Sequence, residues 1–169
     1  MNTVEERIVD FIAAKQYDAG IQYVKGVLKE HPTDGDSYAW LAAIYGLVIE
    51  EVNFSEKLNY VEQLEENILK ALKYSPNSKL VRKVNGIRLI KTPNEYGGDS
   101  QEGIELLEGL LAEGESEYDL YYHLAVAYTE LNQFVKAKEY LANAIQLDPN
   151  GPEVNKLKEY IGIVEHEDY

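Results

Sequence analysis

Tyr121-x2-Leu124-Ala125-x2-Tyr128, followed nine residues on by Ala137-x3-Leu141-x2-Ala144 and then by Pro149, is the stretch that decides the fold. The spacing has a physical cause. Ala125 is small enough for two antiparallel helices to touch backbone to backbone, and Tyr121 and Tyr128 fill the gaps beside it. Ala137 and Ala144 do the same on the second helix. Pro149, in Leu147-Asp148-Pro149-Asn150, cannot continue that helix and stops it.

This arrangement resembles the tetratricopeptide repeat, whose pattern is a large aromatic, a Leu-small pair, a second aromatic, then Ala and a closing Pro. The match covers one whole repeat of about 34 residues, with Tyr in place of Trp and Ala in place of Gly. Weaker copies lie upstream. Tyr38-x2-Leu41-Ala42-x2-Tyr45 restates the first helix, and Leu64-x3-Ile68-x2-Ala71 with Pro76 the second. A third copy uses Gly86 and Leu89, then Gly103-x3-Leu107-x2-Leu110; the first and weakest uses Ile8, Phe11, Gly20-x3-Val24-x2-Val27 and Pro32. Pro32 and Pro76 lie 44 residues apart, and Pro76 and Pro149 lie 73 apart. Those distances are one repeat plus ten residues and two repeats plus five, at roughly 34 residues per repeat.

The resulting expectation is a single all-α domain over 1–169, a right-handed superhelical solenoid of about four helix hairpins. The repeats are 1–34, 35–78 with lengthened helices, 79–117 with a loop insertion, and 118–151. A capping helix follows at 152–165, with Val154, Leu157, Tyr160 and Ile161 on one face, and then an acidic tail at 166–169. Thr3 with Glu6, Asn53 with Glu56 and Asp99 with Glu102 have the spacing of capping boxes.

Sixteen basic and 30 acidic residues give a formal charge of −14, a field that disfavours nucleic acid and anionic membrane surfaces. The chain has no cysteine, so disulfides, zinc knuckles and thiol catalysis are excluded together. The N-terminus is acidic without an apolar run, and the longest apolar stretch, Ala42 to Ile49, is far short of a membrane span. The expectation is a cytoplasmic protein. His31, His123 and His166 share no local metal spacing, and the carboxylates read as solvated helix faces. No catalytic, metal or cofactor site is expected, and the chain is read as not an enzyme.

Two segments depart from the repeat pattern. The ten extra residues between Tyr45 and Leu64 stay apolar at helical spacing, which predicts two lengthened helices meeting near Asn53-Phe54-Ser55 with Phe54 at the tip. Two readings stand for this protrusion: an extended hairpin packed on repeat three, or a docking knob. The loop Thr92-Pro93-Asn94-Glu95-Tyr96-Gly97-Gly98-Asp99 resembles one carried by a subset of bacterial tetratricopeptide proteins. There the glycines are expected to take positive φ, Asp99 to cap the next helix and Tyr96 to fold back onto the core. Phosphate binding at that loop is disfavoured by Glu95 and Asp99 and by the lack of a P-loop Lys-Ser/Thr pair.

Lys79, Arg82, Lys83, Arg88 and Lys91 form a block of 13 residues without an acidic one. In the family it resembles, first helices line a concave groove that binds peptides. That resemblance makes Lys83, Ile87 and Lys91, at i, i+4 and i+8, candidates for the groove face, with Trp40, Tyr122, Val126 and Thr129 on other first helices. Trp40 lies about 200° around its helix from Tyr38. For the cations, pairing with neighbouring acidic helices competes with an acidic-peptide site; for Trp40, burial between repeats competes with a binding role. Family members that grip acidic chaperone tails use a clamp of Lys, Arg and Asn. Here Glu5, Val9, Ala39, Trp40 and Ala43 fill the corresponding places, so that specificity is not implied.

The expected function is a protein-interaction scaffold or adaptor with a protein or peptide partner, an acidic one if the cationic block is used, and a monomeric or weakly self-associating state. A small acidic chaperone for secreted or hydrophobic substrates, and a self-assembling or accessory subunit of an enzyme complex, are the alternatives.

Overall fold

The structure, a computed structural model, describes residues 2–167. Among the described residues there are nine α-helices and no strand: α1 (Val4–Ala13), α2 (Tyr17–Glu30), α3 (Gly35–Glu51), α4 (Phe54–Tyr74), α5 (Lys79–Lys91), α6 (Ser100–Ala112), α7 (Tyr118–Glu130), α8 (Phe134–Leu147) and α9 (Pro152–Glu167). The all-α class expected from the spacing is what is observed. The helices divide into two compact units, Met1–Asn85 and Gly86–Tyr169, with the division falling inside α5.

The first unit is built on the α3–α4 hairpin. Leu41, Ala42 and Tyr45 of α3 and Ile68 and Ala71 of α4 are all buried, as the small-residue seam requires. Ile8, Ile21 and Val24 of α1 and α2 close against Leu41, Ile44, Tyr45 and Val48. Val81 and Val84 of α5 close against Ala39, Ala42, Ile68 and Ala71. The helix starts are fixed locally. Thr3 Oγ1 accepts from the Glu6 N–H at 3.1 Å while the Glu6 carboxylate accepts from the Thr3 N–H at 2.8 Å. The Asn53 N–H donates to the Glu56 carboxylate at 3.3 Å. The lengthened helices meet at Val52-Asn53, and Phe54, the first residue of α4, is 90% exposed.

The second unit closes on one continuous core. Ile104, Leu107 and Leu110 of α6, Leu120, Leu124, Ala125 and Tyr128 of α7, and Ala137 and Leu141 of α8 are buried together. Val154, Leu157 and Ile161 of α9 cover the end of that core. Tyr160, expected on the same face, is instead 53% exposed, because it lies about 120° around the helix from Val154. The helix continues through His166 and Glu167, while Asp168 and Tyr169 of the expected tail lie outside the described residues.

Gly86 and Gly103 mark a close approach of α5 and α6. A Cβ on Gly103 would stand 2.8 Å from the Gly86 carbonyl oxygen and 2.7 Å from Ile90 Cγ1. A methyl group at that position would push α5 and α6 apart.

One turn recurs in both units. Lys15 (φ 54°), Gly114 (φ 96°) and Asn132 (φ 56°) each follow a helix in the left-handed conformation. Behind them, Gln16, Glu115 and Gln133 donate backbone N–H groups to Phe11, Leu110 and Tyr128, at 2.9, 3.1 and 2.9 Å. This is the Schellman stop, which satisfies the last carbonyls of a helix and turns the chain sharply back.

The loop between α5 and α6 differs in three respects from its expected form. Gly97 has φ 93°, but Gly98 is needed for proximity: a Cβ there would fall 1.7 Å from the Thr92 carbonyl oxygen. Tyr96 does not fold back and is 77% exposed. Asp99 caps α6 by accepting from the Glu102 N–H at 2.9 Å. Its own N–H, which a reciprocal capping box would give to Glu102, goes to the Leu89 carbonyl at 3.1 Å and ties the loop to α5.

Candidate functional site

The candidate residues fall on three helices, and each unit holds its own share. In the first unit, Trp40 on α3 is half-buried against the cluster of Ile8, Leu41, Ile44 and Tyr45, so much of its ring is spent on packing. Lys83 on α5 is half-buried between Val81 and Val84, which are both core residues.

In the second unit, Ile87 packs partly against the core through α5, and Lys91 is exposed at the end of that helix. Lys79, Arg82, Lys83, Arg88 and Lys91 all have interaction partners, so the block is not a row of bare charges. An acidic ligand would have to compete for it.

On α7 the candidates form a ridge. Tyr118, Tyr122 and Val126 recur every four residues and are each partly buried against the core. The rings of Tyr118 and Tyr122 stack with centroids 5.8 Å apart and planes within 6°. His123 meets the edge of Tyr122 at 5.1 Å and bonds through Nδ1 to the Asp119 carbonyl oxygen at 2.7 Å. Thr129, at the end of the row, is 3% exposed, and its hydroxyl donates to the Ala125 carbonyl at 2.7 Å. Its hydrogen-bonding capacity is therefore used inside its own helix.

Tyr118 anchors this ridge from below. Its hydroxyl is buried without a hydrogen-bond partner and presses on Gly151, where a Cβ would stand 2.7 Å from it. Burial, and then the charge of Glu153, push the Tyr118 pKa up to about 12. A second aromatic cluster holds α6, α7 and α8 together. Glu108 accepts from the Tyr128 hydroxyl at 2.5 Å and from the Tyr140 hydroxyl at 2.9 Å, and the two rings stack 5.7 Å apart. Burial, and then the Glu108 hydrogen bond, raise both phenols, Tyr128 to about 12. Glu108 was not singled out in the sequence because nothing local separates it from Glu105 or Glu113; only the two distant tyrosines reveal its place.

Among the described residues no group of three His, Asp or Glu side chains could hold a metal ion. No described helix is long and apolar enough to cross a membrane.

What the fold defines is a series of antiparallel helix hairpins. Residues 97–159 match the family described as Tetratricopeptide repeat. The human protein named Mitochondrial fission 1 protein is 33% identical over 70 residues, 40% of this chain. The match spans 46% of that protein, less than half its length. Among solved structures, PilW, titled a widely conserved type IV pilus biogenesis factor, has a TM-score of 0.70 at 17% identity, over 94% of this chain and 67% of its own. A mutant form of MamA has a TM-score of 0.58 at 18% identity, over 98% of this chain and 88% of its own. At such identities these structures speak for the fold, an all-α helix-hairpin solenoid.

Proposed function

We propose that the chain is a non-enzymatic, cytoplasmic protein-interaction module that holds a segment of a partner protein against its first helices. The observation that carries this reading is the α7 ridge. Tyr118, Tyr122 and Val126 keep part of their surface exposed on α7, and stacking of Tyr122 on Tyr118 holds the outer ring in place. Aromatic residues held rigid at a surface lose little entropy on binding, which is why they serve as anchors. The family likeness of residues 97–159 supports the same role, since proteins of that repeat act by binding other proteins. An acidic character of the partner rests on Lys83 and Lys91 and is secondary, because both already have partners within the chain.

Affinity capture from native extract, followed by mass spectrometry, tests the reading. Tyr122→Ala with Val126→Asp should lose the captured partners while the helical circular dichroism is kept. Lys83→Glu with Lys91→Glu should lose them too if the partner is acidic. Full capture by both variants would show that these helices are not the binding face.

A further inference from the structure

A second surface lies on α4 of the first unit. Phe54, Leu58, Val61 and Leu69 of α4 are 90%, 69%, 39% and 67% exposed. Positions 54, 58 and 61 follow helical spacing, and 69 returns to the same side two turns later, so the four form one stripe of about 22 Å. The opposite side of α4 is satisfied: Tyr60 and Leu64 pack inward, with the Tyr60 ring 6.1 Å from Tyr45 of α3. The stripe lies on the longest helix of the first unit: α4 has 21 residues, against 10 in α1, 14 in α2 and 17 in α3. Its exposed end is also fixed in place. The bond from the Asn53 N–H to Glu56 starts α4 immediately before Phe54, which places that side chain on a formed helix.

The charge around the stripe selects what could cover it. Between Glu50 and Lys70 there are six carboxylates and two lysines, and one of those lysines, Lys70, bonds to Glu66 at 2.7 Å. Glu65 lies within the stripe and Glu62 at its edge. A second copy of the chain would bring another −14 against this surface. An anionic lipid surface would be repelled likewise.

We infer that the outer face of α4, centred on Phe54 and Leu58, docks a basic amphipathic helix of another protein. The partner's apolar row would lie along Phe54, Leu58, Val61 and Leu69, and its Lys or Arg residues would meet Glu62 at the edge of the stripe. This surface is independent of the α7 ridge.

The test uses the full chain and a synthetic peptide of about 18 residues, with Leu at i, i+3, i+4 and i+7 and Lys or Arg flanking the row. A scrambled peptide of equal composition serves as control. Fluorescence anisotropy should show saturable binding of the amphipathic peptide. Phe54→Asp with Leu58→Asp should weaken it by about tenfold or more, the effect of removing interface anchors. Tyr122→Ala should leave it unchanged, so that failure here is distinguishable from failure of the α7 reading. Equal binding of the scrambled peptide, equal binding by the Phe54/Leu58 variant, or no saturable binding would overturn the inference. So would a wild-type dimer in sedimentation that the same variant converts to monomer, since the covering surface would then be a second copy. Binding to neutral vesicles that the variant abolishes would assign the stripe to lipid and overturn it as well.

Discussion

The α3–α4 and α7–α8 hairpins begin from nearly the same seam and end differently. Leu41-Ala42 with Tyr45 and Leu124-Ala125 with Tyr128 are buried to the same degree, all at 5% exposure or less. In α7–α8, with 13 and 14 residues, Tyr128 and Tyr140 are both held by Glu108, and Val135 of α8 is the apolar side chain most exposed, at 74%. In α3–α4 the same seam is extended: Val48 is buried and Val52 and Tyr60 pack partly on the core, whereas Phe54, Leu58 and Val61 remain on the surface. Burial follows from what stands opposite a residue as much as from its own hydrophobicity. A repeat lengthened alone converts core-type residues into a surface.

The comparison can be broken most sharply at the shared seam. Leu124→Ala removes a fully buried side chain and should cost about 2–5 kcal/mol in chemical denaturation. Ala125→Leu and Ala42→Leu should each overpack their seam, costing roughly 1–3 kcal/mol and lowering the denaturation midpoint. Unequal costs for the two alanines would mean that the hairpins are not equivalent packing units.

Alkaline titration weighs most on the second half, although burial also raises Tyr17 in the first. Tyr118, Tyr128 and Tyr140 have raised pKa values in the folded state, the first two near 12, against about 10 unfolded. Folding therefore favours the protonated phenol. That stabilisation is complete below pH 10 and is lost as pH rises through about 12. Denaturation midpoints should fall steeply over that window. Tyr128→Phe with Tyr140→Phe should flatten the fall, although it also leaves the Glu108 carboxylate without those two donors. A pH-independent midpoint from 10 to 12 would contradict the burial of these hydroxyls.

Smaller effects sharpen the contrast. Asn132→Gly relieves a left-handed residue in the α7–α8 turn and should stabilise by roughly 0.5–1 kcal/mol. Phe54→Ser should change stability by less than about 0.5 kcal/mol, since the side chain is almost wholly in solvent. A large loss for Phe54→Ser would show that the tip is structural.

Periodicity and turn chemistry made much of this protein legible. The positions of Ala125, Ala137 and Ala144 fixed antiparallel helices, because only small residues permit that approach. Thr3-Glu6 and Asn53-Glu56 fixed helix starts, because a capping bond is a local event. The lengthened second pair with Phe54 at its tip was readable from apolar spacing continuing past the usual stop. Other features were not. Tyr160 is expected on the apolar face of α9 and Tyr96 against the core, yet both are exposed, Tyr160 because it lies about 120° around the helix from Val154. Thr129 was placed on a binding face, yet it is buried with its hydroxyl bonded to Ala125.

By itself, then, the sequence determined the class of fold, the seam residues and the helix starts, all of which depend on spacings of three to seven residues along one chain. The tertiary structure alone decided that Gly98 is required by the nearness of the Thr92 carbonyl, that Asp99 gives its N–H to Leu89, and that Glu108 joins Tyr128 to Tyr140. It alone decided that the outer face of α4 lacks cover. These are contacts, or missing contacts, between segments distant in sequence, and no local pattern records the distance between them.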